Sequence, residues 1–97
     1  MILHTVTFRL KKPSAEKDFM NEAAKLADIP GVLNFECLRQ VGKKNNFALG
    51  LSMEFATEND YRGYCDHPDH VFFVENIWIP QVEEFMEIDY VKYETDS

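Results

Sequence analysis

Apolar and polar positions alternate from the second residue onward. In "ILHTVTFRL", Ile2, His4, Val6, Phe8 and Leu10 fall on one face and Leu3, Thr5, Thr7 and Arg9 on the other, a period of two that predicts a strand. Pro13-Ser14 opens a different pattern. Phe19, Ala23 and Leu26, flanked by Met20, Ala24 and Ala27, recur at helical spacing until Ile29-Pro30-Gly31 interrupts them, which predicts an amphipathic helix of about four turns. A second strand is expected from Leu33 to Val41, a polar turn at "GKKNN" (42–46), and a third strand from Phe47 to Phe55, the three together reading as a hairpin. The third strand sorts its residues by size. Phe47, Leu49, Leu51, Met53 and Phe55 share one face, while Ala48, Gly50, Ser52 and Glu54 share the other.

Thr57, with Asp60 three residues on, fits a helix N-cap and an acidic first turn, starting a short helix through Tyr61 and Tyr64,. Pro68 ends it, because a proline pushes the residue before it out of the helical region and itself prefers the first position of a new helix. The new helix runs to about Trp78 with His70, Phe73, Val74 and Ile77 on one side, and Ile79-Pro80 stops it. The last strand spans about Glu84 to Tyr93, where Met86, Ile88 and Tyr90 alternate with Glu87 and Asp89.

The order β-α-β-β-α-β is the split arrangement of a ferredoxin-like α+β fold, a four-stranded antiparallel sheet with its helices on one face. A bulky row on the third strand exceeds what the helix-covered face is expected to need. It is therefore assigned to the open face, where two copies would bury it against each other as a dimeric α+β barrel, and the small row to the floor of a pocket under the helices.

Composition narrows the function without naming it. At 97 residues, 45% hydrophobic and 28% charged, the chain has the make-up of one folded domain, residues 1–97,. No stretch is apolar for long enough to span a bilayer, and "MILHTVTF" lacks the basic start and apolar core of a signal peptide, so the expected location is cytoplasmic, with no membrane partner. Cys37 and Cys65 lack a CxxC spacing and are read as free, semi-buried fillers,. The net charge is −7: residues up to Lys44 carry eight bases against five acids, the remainder two bases against twelve acids. Such a second half repels phosphate backbones, which excludes nucleic acid as an expected partner. The acidic run from Glu83 to Asp96 is read as a solvated strand edge that discourages further strand pairing,.

"HTVTFRL", "IPGV", "GLSMEF", "YCDHPDHVFFV" and "IDY", spread over nearly the whole chain, together resemble the stress-responsive A/B barrel (Dabb) family, a branch of the dimeric α+β barrel superfamily. The resemblance implies a ferredoxin-like protomer, a homodimer and a small cavity between sheet and helices in each protomer. A plant polyketide cyclase of the family works by aldol chemistry with His and Tyr. On the matching motifs its base corresponds to His70, its tyrosine to Tyr64, its strand-1 histidine to His4 and a cavity-lining glutamate to Glu54. This chain departs from that cyclase at Ala48, where the cyclase has a histidine, and in having no tyrosine between residues 14 and 28.

The residues themselves support a parallel reading. His70 falls in the first turn after Pro68, where the positive end of the helix disfavours imidazolium and so favours the neutral base. His67, held extended before Pro68, is expected to cap or bridge the break and to stand at the edge of a ligand site. A metal site built from Asp66, His67, Asp69 and His70 has suitable ligand types, but the proline breaks the helical register they would need, so neither a metal nor another cofactor is expected. Trp78, Phe72 and Phe73 are read as core or dimer contacts, and Tyr61 is left open between pocket and surface. The expected function is binding of a small apolar or aromatic molecule, with His70 and Tyr64 catalysing proton abstraction of a cyclase or isomerase kind and His4, Glu54 and His67 contacting the ligand. The alternatives are a non-catalytic stress or ligand-binding protein with structural histidines, and a cofactor-free monooxygenase using the same pocket.

Overall fold

The computed structural model describes residues 1–96. Strands β1 (Ile2–Leu10), β2 (Leu33–Arg39), β3 (Leu49–Phe55) and β4 (Val82–Val91) form one antiparallel sheet in the order β2-β3-β1-β4. Helix α1 (Glu16–Ala24) follows β1, and α2 (Glu58–Asp66) and α3 (Pro68–Phe73) lie between β3 and β4. The ferredoxin-like expectation is met, with three helices on a four-stranded sheet.

β1 is the inner strand on which the register turns. His4 lies opposite Met53 of β3 and Asp89 of β4, and Val6 opposite Leu51 and Glu87; residues opposed in an antiparallel pair share a face. His4, Val6, Phe8 and Leu10 are buried together with Leu49, Leu51, Met53 and Phe55. The bulky row of β3 therefore lies under the helices, which corrects its assignment to the open face. The reason is volume. The helical stripe of Phe19, Ala23 and Leu26 stands off the sheet and needs large side chains to fill the gap, which the row Gly50, Ser52, Glu54 cannot supply,. On the open side small residues serve close approach instead: a Cβ on Gly50 would meet the Val6 carbonyl oxygen at 3.3 Å and the Leu38 Cβ at 3.6 Å.

An aromatic chain knits the layers. The Phe8 ring packs on Phe19 and Trp78 with centroids 5.3 and 4.9 Å away, and Phe19 meets Phe73 edge-on at 5.8 Å. Trp78 belongs to this cluster, whereas Phe72 is exposed. The break at Pro68 forms as expected. Thr57 Oγ1 accepts the Asp60 N–H at 3.1 Å to start α2, and His67, extended at φ −63° and ψ 135°, starts α3 by accepting the Asp69 N–H on Nδ1 at 3.1 Å. Beyond α3 the chain winds through a π-helical turn, Val74–Trp78, and a last turn, Ile79–Gln81. The expected stop at Ile79-Pro80 is displaced to Gln81 because Pro80 sits at the start of that last turn, where the N–H it lacks has no helical partner.

The open face carries Leu33 and Leu38 from the β2–β3 side and Met86, Ile88 and Tyr90 from β4, all exposed. Both cysteines are free and exposed rather than semi-buried. Among the described residues no helix is long and apolar enough to cross a membrane. Phe8, fully buried at the centre of the aromatic chain, should be the costliest core side chain to truncate. Phe8→Ala is expected to lower the unfolding free energy by about 3–5 kcal/mol, read by urea denaturation at fixed protein concentration.

Candidate functional site

Between sheet and helices lies a cavity of about 350 Å³. Val6, Leu51 and Met53 form its floor, and Tyr64, His70 and Phe73 face them from α2 and α3. The floor is thus made of the larger β-strand residues, not the small row. The π-helical turn contributes Val74 and Trp78, and Phe85 and Glu87 of β4 close one side. A π turn widens the helix locally and often stands beside a functional site.

His70 and Tyr64, brought within 4.4 Å ring to ring across the break at Pro68, both line this space. His70 Nδ1 lies 3.0 Å from the Cys65 carbonyl oxygen. A carbonyl can only accept, so the neutral ring carries its proton on Nδ1 and leaves Nε2 as a bare acceptor. Burial pushes the His70 pKa below its ordinary 6.5; the Cys65 carbonyl opposes that shift, His4 reinforces it and Glu87 opposes it. The Tyr64 phenol is buried and its pKa is raised, first by desolvation and then by the ionisable groups of Cys65 and Glu87, so Tyr64 stays protonated and can donate. A bare imidazole nitrogen beside a protonated phenol suits proton abstraction from carbon with a hydrogen bond to the oxyanion that forms.

His4 is buried beneath this pair, its ring 6.3 Å from that of Tyr64, but it does not line the cavity itself. Its Nδ1 lies 2.5 Å from Asp89 Oδ1 and 2.9 Å from the Tyr61 hydroxyl, and that hydroxyl donates to Asp89 Oδ2 at 2.8 Å. Phe55 stacks on Tyr61 at 4.9 Å and packs on Tyr64 at 5.1 Å, so one residue of β3 positions both tyrosines. Burial, then the Asp89 hydrogen bond and charge, raise the Tyr61 pKa and keep that phenol protonated.

Glu54 stands elsewhere. It pairs with Leu3 and Leu33, on the sheet face away from His4, and accepts a hydrogen bond from Asn34 Nδ2 at 2.9 Å. Asn34 has a positive φ of 50° beside the register shift between Leu33 and Glu36, so Glu54 pins a bulge and the shared pocket floor expected for it with His4 is corrected. His67 serves as the cap of α3 and lies outside the cavity lining.

Sequence reasoning leaves Tyr61 open and misses Glu87 and Asp89. The alternation in β4 puts Glu87 and Asp89 on one face, but only pairing with β1 turns that face toward His4 rather than water. One ligand atom each from His4, Glu87 and Asp89 lies within 4.8 Å of the others, a spacing compatible with a shared divalent ion. The Tyr61 hydroxyl stands among them, donating its one proton to Asp89 and lying 2.9 Å from His4 Nδ1 and 3.4 Å from Glu87. At the helix break His67 Nδ1 and His70 Nδ1 are each engaged with backbone groups.

The family model of the stress-responsive A/B barrel domain matches residues 2–92. A Dabb family protein with a ferredoxin-like fold from Mesorhizobium loti is 50% identical, with a TM-score of 0.93 over 96% of this chain and 97% of that one. A dimeric ferredoxin-like protein from Thermobifida fusca is 24% identical with a TM-score of 0.80, covering 94% and 90% of the two chains. A hydroxynitrile lyase from Passiflora edulis is 17% identical with a TM-score of 0.85, covering 99% and 96%. None of the curated proteins matches significantly.

A lowered His70 pKa means that the folded state binds this proton less tightly than the unfolded chain does. Its contribution to stability is complete above the ordinary value of 6.5 and is lost as the pH falls through the folded midpoint,. In a histidine NMR titration His70 is expected to titrate below 6.5. His70→Gln should flatten the part of the stability profile that declines below that pH.

Proposed function

The chain belongs to the stress-responsive A/B barrel family, and from that premise we propose that it is a homodimer binding a small apolar or aromatic molecule in the cavity of each protomer. His70 Nε2 acts there as a base that removes a proton from an activated carbon, and the Tyr64 hydroxyl stabilises the resulting oxyanion. The chemistry is of the cyclase, isomerase or carbon–carbon lyase kind. The observation that carries this reading is the His70 Nδ1 contact with the Cys65 carbonyl oxygen, which leaves the basic nitrogen available to a largely apolar cavity. The Passiflora edulis neighbour is named as a hydroxynitrile lyase, which supports a lyase-like reading of this fold. His4, Tyr61 and Asp89 hold the layer behind Tyr64 in place and are positioning residues.

Dimerisation is supported by the open sheet face, where Met86, Ile88 and Tyr90 remain exposed in the protomer, and by the dimeric Thermobifida fusca relative. Two such faces in contact would remove that apolar surface from water. Light scattering is expected to give twice the 11.3 kDa protomer mass. The double variant Met86→Asp, Ile88→Asp should reduce that to the protomer by burying unpaired carboxylates in the interface.

For the chemistry, small aromatic ketones that raise the melting temperature of the wild type would be incubated in deuterated buffer, and exchange of their α-protons followed by NMR. His70→Gln should slow the protein-catalysed exchange by at least about a hundredfold, and Tyr64→Phe should slow it less. Exchange that is unchanged in His70→Gln would refute the assignment of the base.

A further inference from the structure

The polarity of the cavity is one-sided. Among the described residues Glu87 is the one carboxylate on its wall, and no Lys or Arg lines it. The Glu87 side chain is about half exposed, at 49%, and the groups around it do little to neutralise it. His4 Nδ1 lies 3.9 Å from it but is engaged with Asp89 at 2.5 Å, and the Tyr61 hydroxyl is closer to Asp89 than to Glu87. Asp89, two residues along the same face of β4, adds a second negative charge behind the wall. The sequence beyond Lys44 holds only Arg62 and Lys92 as bases; Arg62 faces Glu58 at 3.8 Å on the surface of α2, and Lys92 lies beyond the end of β4. The field inside the cavity is therefore negative, and water reaches only one side of it to screen the charge. An anionic ligand would lose hydration and meet a like charge. A ligand with an N–H or O–H at its polar end would find free acceptor positions on Glu87 and on His70 Nε2.

We propose that Glu87 sets the charge of the ligand. The cavity takes neutral or cationic molecules, a carbonyl, hydroxyl or amine on an aromatic or branched aliphatic body, and rejects carboxylates and phosphates. This rests on the cavity being a binding site, as proposed above, and adds the chemical class of its occupant.

Three nearly isosteric probes test it: 2-naphthylmethylammonium, 2-naphthylmethanol and 2-naphthoate, titrated at neutral pH and low salt. Trp78, the single tryptophan, stands on the cavity wall and reports occupancy by its fluorescence. The wild type is expected to bind the ammonium and the alcohol, each at least about tenfold more tightly than the carboxylate. Glu87→Gln should bring ammonium and carboxylate within about threefold of each other, and Glu87→Lys should invert the order. Carboxylate binding equal to that of the ammonium in the wild type, or discrimination that survives Glu87→Gln, would overturn the proposal while leaving the cavity a binding site. If even the neutral alcohol fails to bind, the cavity reading falls and this proposal with it.

Discussion

One register governs the molecule. β1 pairs with β3 and β4 so that His4 faces both Met53 and Asp89, and Val6 faces both Leu51 and Glu87. Because side chains alternate across a sheet, a slip of a single residue on either side would send half of these groups to the opposite face. The core under the helices, the floor of the cavity, the partner of the buried His4 and the carboxylate on the cavity wall are consequences of the same pairing. Hydrophobic burial favours it, since only this register gathers Val6, Phe8, Leu51, Met53 and Phe55 under the helical stripe of Phe19, Ala23 and Leu26,.

The polar part of the site follows from the same constraint. A buried imidazole costs free energy unless it is hydrogen-bonded, and β4 places Asp89 directly opposite His4 to meet that need. Tyr61 joins the pair from above, held by stacking on Phe55. This network braces the end of α2 from which Tyr64 projects, while the break at Pro68 turns the next turn so that His70 faces Tyr64 and spends one ring nitrogen on the Cys65 carbonyl. The other nitrogen is left as an acceptor.

Local signals in the sequence were enough for the elements and for the division of "YCDHPDH". The alternation of "ILHTVTFRL", the cap at Thr57 and the conformational demands of Pro68 act within a few residues, and they placed β1, α2 and α3 and turned His70 inward. What local pattern could not supply was the identity of neighbours far along the chain. The size-sorted faces of β3 carry no local sign of which one the helices cover, and pattern alone assigns the bulky row to the open side and Glu54 to the side under the helices, the reverse of the folded arrangement. Glu87 and Asp89 looked like part of a solvated acidic strand because their partner, His4, lies more than eighty residues away. Tyr61 shows neither role until both Asp89 and Phe55 are placed.

The proposed chemistry requires that His70 hold its proton on Nδ1 and present a bare Nε2 to the cavity. Long-range proton–nitrogen correlation spectra of the uniformly ¹⁵N-labelled protein, recorded well above the histidine midpoint, measure this directly. His70 is expected to be an Nδ1–H tautomer, with Nε2 resonating as an unprotonated nitrogen. An Nε2–H tautomer, or a rapid average of the two forms, would contradict it, because the Cys65 carbonyl would then not fix the proton and the cavity would not face a base.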